Sequence, residues 1–399
     1  QGQVFTAVKA DSLVVEEAGS ERACIRIECA HHAGTHNTCF KSVFRIHLYR
    51  NSSCIRVCHT FENDINEPFT SIRNLSLRAD FDLGNQLVGQ IEGQDVDLSK
   101  SPLLKQTHDN AFELKQGRKT LSKGKQALGK ALLSGESATI NFAIRDFWQN
   151  YPKGLRVDQN GFTIDLCPTL AKDQFPKGGE LEDRLYYYVL NGQYKFRQGI
   201  SRTHEFYFDI QPGKDDSLYE TVQNPPLYSV DLDAFNKSQT VTQLPDKKPS
   251  PYPQYEKWVD AALVAYGDDR VESRAYGMLN FGDWFGERTY NWGNMEYDTP
   301  WCFLQEYVRG GDPQFYTYAE EAVRHLIDVD TCHYGPQTGE QYTHCVGHVG
   351  SYYPDGYRER AIFKGNWKPS HTWVEGPFLY HLLSGEPRAL EGAMKTCAL

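Results

Sequence analysis

No run of about 18 consecutive apolar residues occurs in the 399-residue chain, so a membrane-spanning helix is not expected. Basic charge is scarce as well. Against 52 Asp and Glu stand 42 Lys and Arg, a net charge of −10, whereas a general nucleic-acid binder would carry a basic field. A local cluster of Arg and His in an acidic protein still leaves room for a polyanionic substrate. The ten cysteines include no CxxC pair and no zinc-ribbon spacing. Five of them (Cys24, Cys29, Cys39, Cys54, Cys58) lie near the start, either as disulfide partners in an oxidising compartment or as small buried thiols. A Gly-x-Ser-x-Gly elbow and a phosphate loop are missing; no cofactor is expected, with Ca²⁺ left open as an alternative that no contiguous calcium-binding loop supports. Methionine is rare, at 3 residues.

What the chain has in abundance is aromatic residues: 24 Tyr, 21 Phe and 7 Trp, with 33 Gly and 19 Pro. Such a composition suits extensive β-structure or a surface that stacks on flat ligands. Length alone asks for two or three domains. The opening QGQVFTAV carries no initiator Met and no leader, and the chain is expected to be a fragment lacking its N-terminus. Sequons at Asn51, Asn74 and Asn236 permit a secreted protein.

Hydrophobic periodicity divides the chain. Up to about residue 210 the period is two: Ile25 and Ile27, then Phe44, Ile46 and Leu48, then Phe162, Ile164 and Leu166, then Phe206 and Phe208. Short alternating runs separated by NSS, NG and PKGG predict antiparallel strands and a large β-sandwich over 1–210. The basic stretch 113–130 reads as a loop or an exposed hairpin. Residues 211–253 contain PGKDD, NPP and LPDKKPSPYPQ and read as a linker with little regular structure. From 254 to 399 the period becomes helical. EYVRGGDPQFYTYAEEAV (306–323) and YHLLSGEPRALEGAMKT (380–396) share one plan of helix, Gly, acid, Pro, helix. Gly311 and Gly385 suit left-handed C-caps, and Pro313 and Pro387 suit a first helical turn. Two such hairpins predict an α/α repeat array, and because two cannot close a ring the array is expected to be truncated.

Between the hairpins lies the densest polar–aromatic cluster. It comprises FGDWFGERTYNWGNMEYDTPW (281–301), QYTHCVGHVGSYYPDGYRERAIF (341–363) and NWKPSHTWVEG (366–376). Aromatic rings stack on sugar faces while Asn, Arg and carboxylates bind hydroxyls, so a carbohydrate site is the reading. His344 and His348 have the spacing of a metal pair, but glycines surround them and no Glu follows the first. Hydrogen-bonded loop histidines and acid/base groups are the other readings. Arg358 and Arg360 are either a solvated charge run or a clamp for a carboxylate. Glu296, Asp298 and Glu375 are either a hydrolytic pair among them or helix caps and Arg partners. His204, on a strand, either packs or meets substrate. Asn291 and Asn294, flanking Trp292, are turn residues or substrate ligands.

RDFWQNYPKGL (145–155), GISRTHEF (199–206), FGDWFGERTYNWGNMEYDTPW, QYTHCVGHVGSYYPDGYRER and SHTWVEG (370–376) resemble the exo-rhamnogalacturonan lyase family, polysaccharide lyase family 26, also described as PcRGLX/YetA-like proteins. RIHLYRNSSCIRVCHTFENDI (45–65) resembles its sandwich domain more weakly. The resemblance implies a central β-sandwich followed by an α/α-toroid, normally preceded by a small barrel-like domain. It also implies β-elimination at rhamnose–galacturonate linkages of an acidic polysaccharide, with neither nucleic acid nor membrane as partner. Carried onto this sequence, Asn294 and Arg360 would hold the uronate carboxylate. His344 or His348 would act as base, and Tyr353 or Tyr357 as acid. Trp292, Trp301 and Trp373 would form sugar platforms. Substrate contacts would come also from Glu296, Arg358, His371 and Glu375, with His204 a further contact if the sandwich edge meets this polar–aromatic cluster. Two other readings stand beside this one: a toroid glycoside hydrolase using Glu296 and Glu375, and a non-catalytic glycan-binding protein.

Overall fold

The structure, a computed structural model, describes residues 2–34, 37–175, 189–211, 217–285, 292–341 and 369–399. The chain divides into two compact units, the first reaching Pro225 and the second taking up Pro226–Leu399.

The first unit is built from antiparallel sheets of nine, six and three strands. Across the nine-stranded sheet the order is Ser12–Ala18, Arg22–Ala33, Asn37–Tyr49, Cys54–Glu62, Ser201–Gln211, Thr139–Ile144, Lys130–Ser134, Val88–Ile91 and Gln94–Val96. Its inner face meets the six-stranded sheet through rings. Phe142 lies 5.0 Å from Phe162 and 4.9 Å from Phe208, and Phe81 lies 5.7 Å from Phe208. The three-stranded sheet packs Phe196 against Phe40 and Phe61, at 5.6 and 5.3 Å. Burying each ring contributes about 1.5–3 kcal/mol relative to exposure, which is why the alternating pattern closes into a sandwich. The basic stretch forms an exposed hairpin, Ala111–Gln116 with Lys119–Gly124.

The strand Ser201–Gln211 shows what alternation does here. Phe206 and Phe208 face the core. On the opposite face Thr203 hydrogen-bonds Thr60 at 2.8 Å, and Glu205 accepts from Arg56 at 2.6 Å. A polar line also crosses the core face. His31 Nδ1 donates to the Cys39 carbonyl at 3.2 Å, so its Nε2 accepts from Ser42 Oγ at 3.2 Å. Ser42 in turn accepts from His59 Nε2 at 2.8 Å. His59 pairs in register with His204 on the neighbouring strand.

The second unit is helical. The stretch read as a linker without regular structure contains two short helices, α1 (Ser217–Gln223) and α2 (Leu232–Ser238). Its prolines bound these helices rather than interrupting them. Leu218 and Val222 of α1 pack on Ala143, within the first unit. Asp231 caps α2, accepting from the Ala234 amide at 2.9 Å. After α3 (Pro253–Glu272) come α4 (Thr299–Gly310) and α5 (Pro313–His325), then α6 (Glu375–Ser384) and α7 (Pro387–Cys397). The two hairpins take the expected form. Gly311 and Gly385 have φ of 73° and 72°, and Asp312 and Glu386 cap the helices that Pro313 and Pro387 open. Leu304, Ala319, Val323, Ile327, Leu379, Tyr380 and Ala389 form a shared core between them. Among the described residues, no helix is long and apolar enough to cross a membrane.

Candidate carbohydrate site

Ahead of α4 the backbone takes an unusual path. Asn294, Met295, Tyr297 and Asp298 have φ of 46°, 55°, 62° and 53°, left-handed values that L-residues adopt at a cost of about 1–2 kcal/mol each. Asp283 anchors this turn: its Oδ1 accepts from the Trp284 amide at 2.8 Å and its Oδ2 from the Asn294 amide at 3.1 Å. Gly293 is required between them, since a Cβ there would lie 2.1 Å from the Trp284 ring. Behind Asp283, His325 is fully buried, 3.7 Å from Asp283 and 3.4 Å from Asp330.

The turn delivers Asp298 to a junction of two helices. Its carboxylate accepts from the Trp301 amide at the start of α4 (3.2 Å) and from the Gly376 amide at the start of α6 (3.1 Å). Gly376 permits this approach, because a Cβ there would stand 2.5 Å from Asp298 Oδ1. Burial pushes the Asp298 carboxyl up to about 7. The two amides oppose that shift, while the negative charge of the neighbouring Glu375 carboxylate adds to it. Two residues earlier, the buried Glu296 makes an ion-pair contact of 3.1 Å with His371 Nδ1. Gln341 fixes the segment that carries His371: its Nε2 donates to the Trp373 carbonyl (2.8 Å) and its Oε1 accepts from the Trp373 amide (2.7 Å). The Trp373 ring then comes 6.3 Å from that of Tyr297, which is 72% exposed. A carboxylate–imidazole pair, a carboxyl held near neutrality and half-buried or exposed aromatic rings thus share one neighbourhood.

Glu296, Trp301, His371, Trp373 and Glu375, all expected substrate contacts, fall in or beside this constellation. Asn294 is there too, buried to 4% exposure with its amide held by Asp283. Two expectations are corrected. Trp292 is 2% exposed with its ring tilted against Phe285 at 5.1 Å, so it packs rather than forming a platform. His204 is a core residue of the first unit, 5% exposed with its ring 6.0 Å from Phe61, and is not presented to a sugar. His344, His348, Tyr353, Tyr357, Arg358 and Arg360 lie outside the described residues. Sequence reading missed the supporting roles of Asp283 and Gln341, whereas Asp298 takes the helix-cap role offered for it as one alternative. For Asp298 a signal existed in Asp-Thr-Pro, a helix-start pattern. Among the described residues, no group of three or more His, Cys, Asp and Glu is arranged to hold a metal.

An antiparallel β-sandwich followed by a helical unit of α/α-toroid type defines the class of protein. Residues 3–89 match the family described as "PcRGLX-like protein central beta sandwich domain", and residues 225–359 match "PcRGLX-like protein C-terminal alpha/alpha toroid domain". The chain belongs to the PcRGLX/YetA-like family, which is related to rhamnogalacturonan lyases. It is 25% identical over 261 residues to "Uncharacterized protein YetA" of Bacillus subtilis (strain 168), a match that covers 57% of this chain and 30% of that protein. Among solved structures, a galactose mutarotase related enzyme from Lactobacillus acidophilus is 14% identical, with a TM-score of 0.25 and coverage of 51% of this chain and 72% of that one. A galactose mutarotase-like protein from Lactobacillus casei ATCC 334 is 9% identical, with a TM-score of 0.24 and coverage of 50% and 73%. Overlaps of that size bear on neither fold nor function.

Proposed function

We propose that this chain acts on rhamnogalacturonan as a polysaccharide lyase, cleaving rhamnose–galacturonate linkages by β-elimination. The observation that carries the reading is the closeness of the Glu296–His371 pair to the Tyr297 and Trp373 rings, in a family related to such lyases; the Trp301 side chain packs on the helical core instead. In the reaction the C5–H bond of the uronate breaks and its electrons form the C4–C5 double bond. As that double bond forms the C4–O bond breaks, its electron pair leaving with the oxygen, which takes up a proton. A histidine is suited to the first proton, since it titrates nearest neutral pH. The Glu296 carboxylate, 3.1 Å from Nδ1, orients the His371 ring. His344 or His348 remains the base proposed from the sequence, with Tyr353 or Tyr357 returning the proton. Asn294 and Arg360 are proposed to bind the carboxylate, whose charge grows in the transition state. No cofactor is invoked. A polymer of this kind is met outside the cell, so the proposal includes secretion.

One observation favours a second reading, hydrolysis. Asp298 and Glu375 are neighbouring carboxyls, and burial raises Asp298 to about 7, the range of a general acid. The products separate the two readings. Incubation with rhamnogalacturonan oligosaccharides should raise ultraviolet absorbance and give, at each cut, one unsaturated product short of its hydrolytic counterpart by one water. Cleavage without that absorbance would replace the lyase reading by the hydrolase reading. Saturable binding without turnover would leave a glycan-binding protein. Full eliminating activity in both His344→Ala and His348→Ala would remove these two as base.

A further inference from the structure

A cleft of about 630 Å³ opens on the first unit, lined by the segments 81–87, 96–99 and 159–160. Its volume lies within the range of small-molecule sites, roughly 300–1,000 Å³. Four residues with amide side chains line it: Asn85, Gln86, Gln159 and Asn160. All four residues are exposed, and among the described residues none of these side chains has a hydrogen-bond partner. The backbone around them is nevertheless held. The Asn85 amide donates to Glu136 at 3.4 Å, and the Asn160 amide donates to Asp158 at 2.8 Å. The Asn160 carbonyl accepts from the Phe81 amide at 2.8 Å. Gln86 sits at a φ of 54°, a left-handed conformation uncommon for a residue without a special reason to be there.

The apolar part of the wall is also fixed. Phe81 is wedged between Phe162 and Phe208, at 6.0 and 5.7 Å, and Leu87 and Leu98 lie beside it half-buried. Fixed C–H surface beside several unengaged amides is the pairing that a pyranose requires. The ring presents an apolar face, and each amide offers a donor and an acceptor to neighbouring hydroxyls. Charge narrows the ligand further. The ionisable residues of the lining are Asp82 and Asp97. Asp97 is paired with Lys100 at 2.7 Å and bound by Ser99, and the exposed Asp82 accepts from the Gly84 amide at 3.3 Å. A uronate would meet carboxylates here without a free cation in the lining, whereas a neutral sugar meets hydrogen-bonding groups of both kinds.

We infer that this cleft is a second carbohydrate site, which binds a neutral hexose or deoxyhexose unit of a glycan and rejects uronates. The inference is independent of whether the helical unit catalyses elimination, because its readout is binding. Ligand-observed NMR on the full chain, with D-galactose, L-rhamnose and D-galacturonate as separate probes, tests it. Saturable binding of at least one neutral sugar is expected, with galacturonate silent at the same concentration. Asn85→Ala combined with Asn160→Ala should weaken that binding by about tenfold or more, through loss of two sets of hydrogen bonds. Gln159→Ala, changed at an exposed turn, should weaken it by a smaller factor. Equal or tighter binding of galacturonate, binding that survives all of these substitutions, or silence from both neutral sugars would each overturn the inference.

Discussion

Replacing His204 by Phe should stabilise the sandwich unit, and the gain should grow as the solution is acidified. Both ring nitrogens of His204 are buried without a hydrogen-bond partner among the described residues, and the ring lies between Phe61 and Phe206 at 6.0 and 6.4 Å. A phenyl ring fits that stack and leaves no polar atom unpaired, a gain of about 1 kcal/mol at neutral pH. Burial holds the His204 imidazole well below its ordinary range, and it lowers His59, its cross-strand neighbour, to about 3. A lowered folded-state value means that the native chain refuses a proton which the unfolded chain accepts. The stabilising contribution is therefore present above the unfolded value of about 6.5 and lost as pH falls below it. Between pH 7 and 5 the loss is about 2 kcal/mol for each histidine, or about 4 kcal/mol for the two. Against a typical stability of about 5–15 kcal/mol this is a large fraction. Urea titrations at pH 7 and pH 5, followed by hydrogen exchange in the strand Ser201–Gln211, measure it. His204→Phe should lead the wild type by about 1 kcal/mol at pH 7 and about 3 kcal/mol at pH 5. A lead that stays constant with pH would show that His204 can take a proton in the folded state, which would refute the reasoning.

Four further outcomes are expected. Gly376→Ala places a Cβ 2.5 Å from Asp298 Oδ1 and should lower the stability of the helical unit by about 2 kcal/mol in thermal unfolding; an unchanged midpoint would contradict the close approach. Asp298 has a raised folded value, so its contribution is present below about pH 4 and lost as pH rises through about 7. Asp298→Asn keeps the helix cap and should flatten that part of the stability–pH curve. Gly311→Ala and Gly385→Ala, at φ of 73° and 72°, should each lose about 1 kcal/mol, and a marked difference between them would break the equivalence of the two hairpins. If the proposed elimination is measured, His371→Ala should reduce turnover by about a hundredfold or more, with Glu296→Gln intermediate; unchanged turnover in both would assign the pair a purely structural role.

The two hairpins were legible in the sequence because their information is local. A left-handed glycine, a capping acid and a proline at the helix start act within a few residues of one another, so Gly311-Asp312-Pro313 and Gly385-Glu386-Pro387 announce themselves. The strands were equally readable, since alternation depends on neighbours two apart. His204 marks where that stops: alternation assigns it a face, but only the opposing sheet decides whether that face is covered. Trp292 failed for a related reason, because an aromatic-rich segment looks the same whether its rings stack on a ligand or on Phe285. Glu296 and His371 are 75 positions apart, and their meeting depends on how the segments before α4 and α6 converge. The left-handed turn was illegible at Met295 and Tyr297, types that seldom take positive φ, unlike Asn294 and Asp298.

The register that sets His59 beside His204 also has a consequence in time. The strand Cys54–Glu62 is flanked by Asn37–Tyr49, available at once, and by Ser201–Gln211, which is made only after 138 intervening residues, 63 through 200. At a synthesis rate of about 5–20 residues per second, that second neighbour arrives roughly 7–30 s later. During this interval the nascent chain exposes an open strand edge bearing Val57, His59 and Phe61. The centre of the largest sheet is thus among the last of its joins to close. A chain stalled or cut before residue 201 would present an aggregation-prone ribbon, whereas one that reaches residue 211 can seal it.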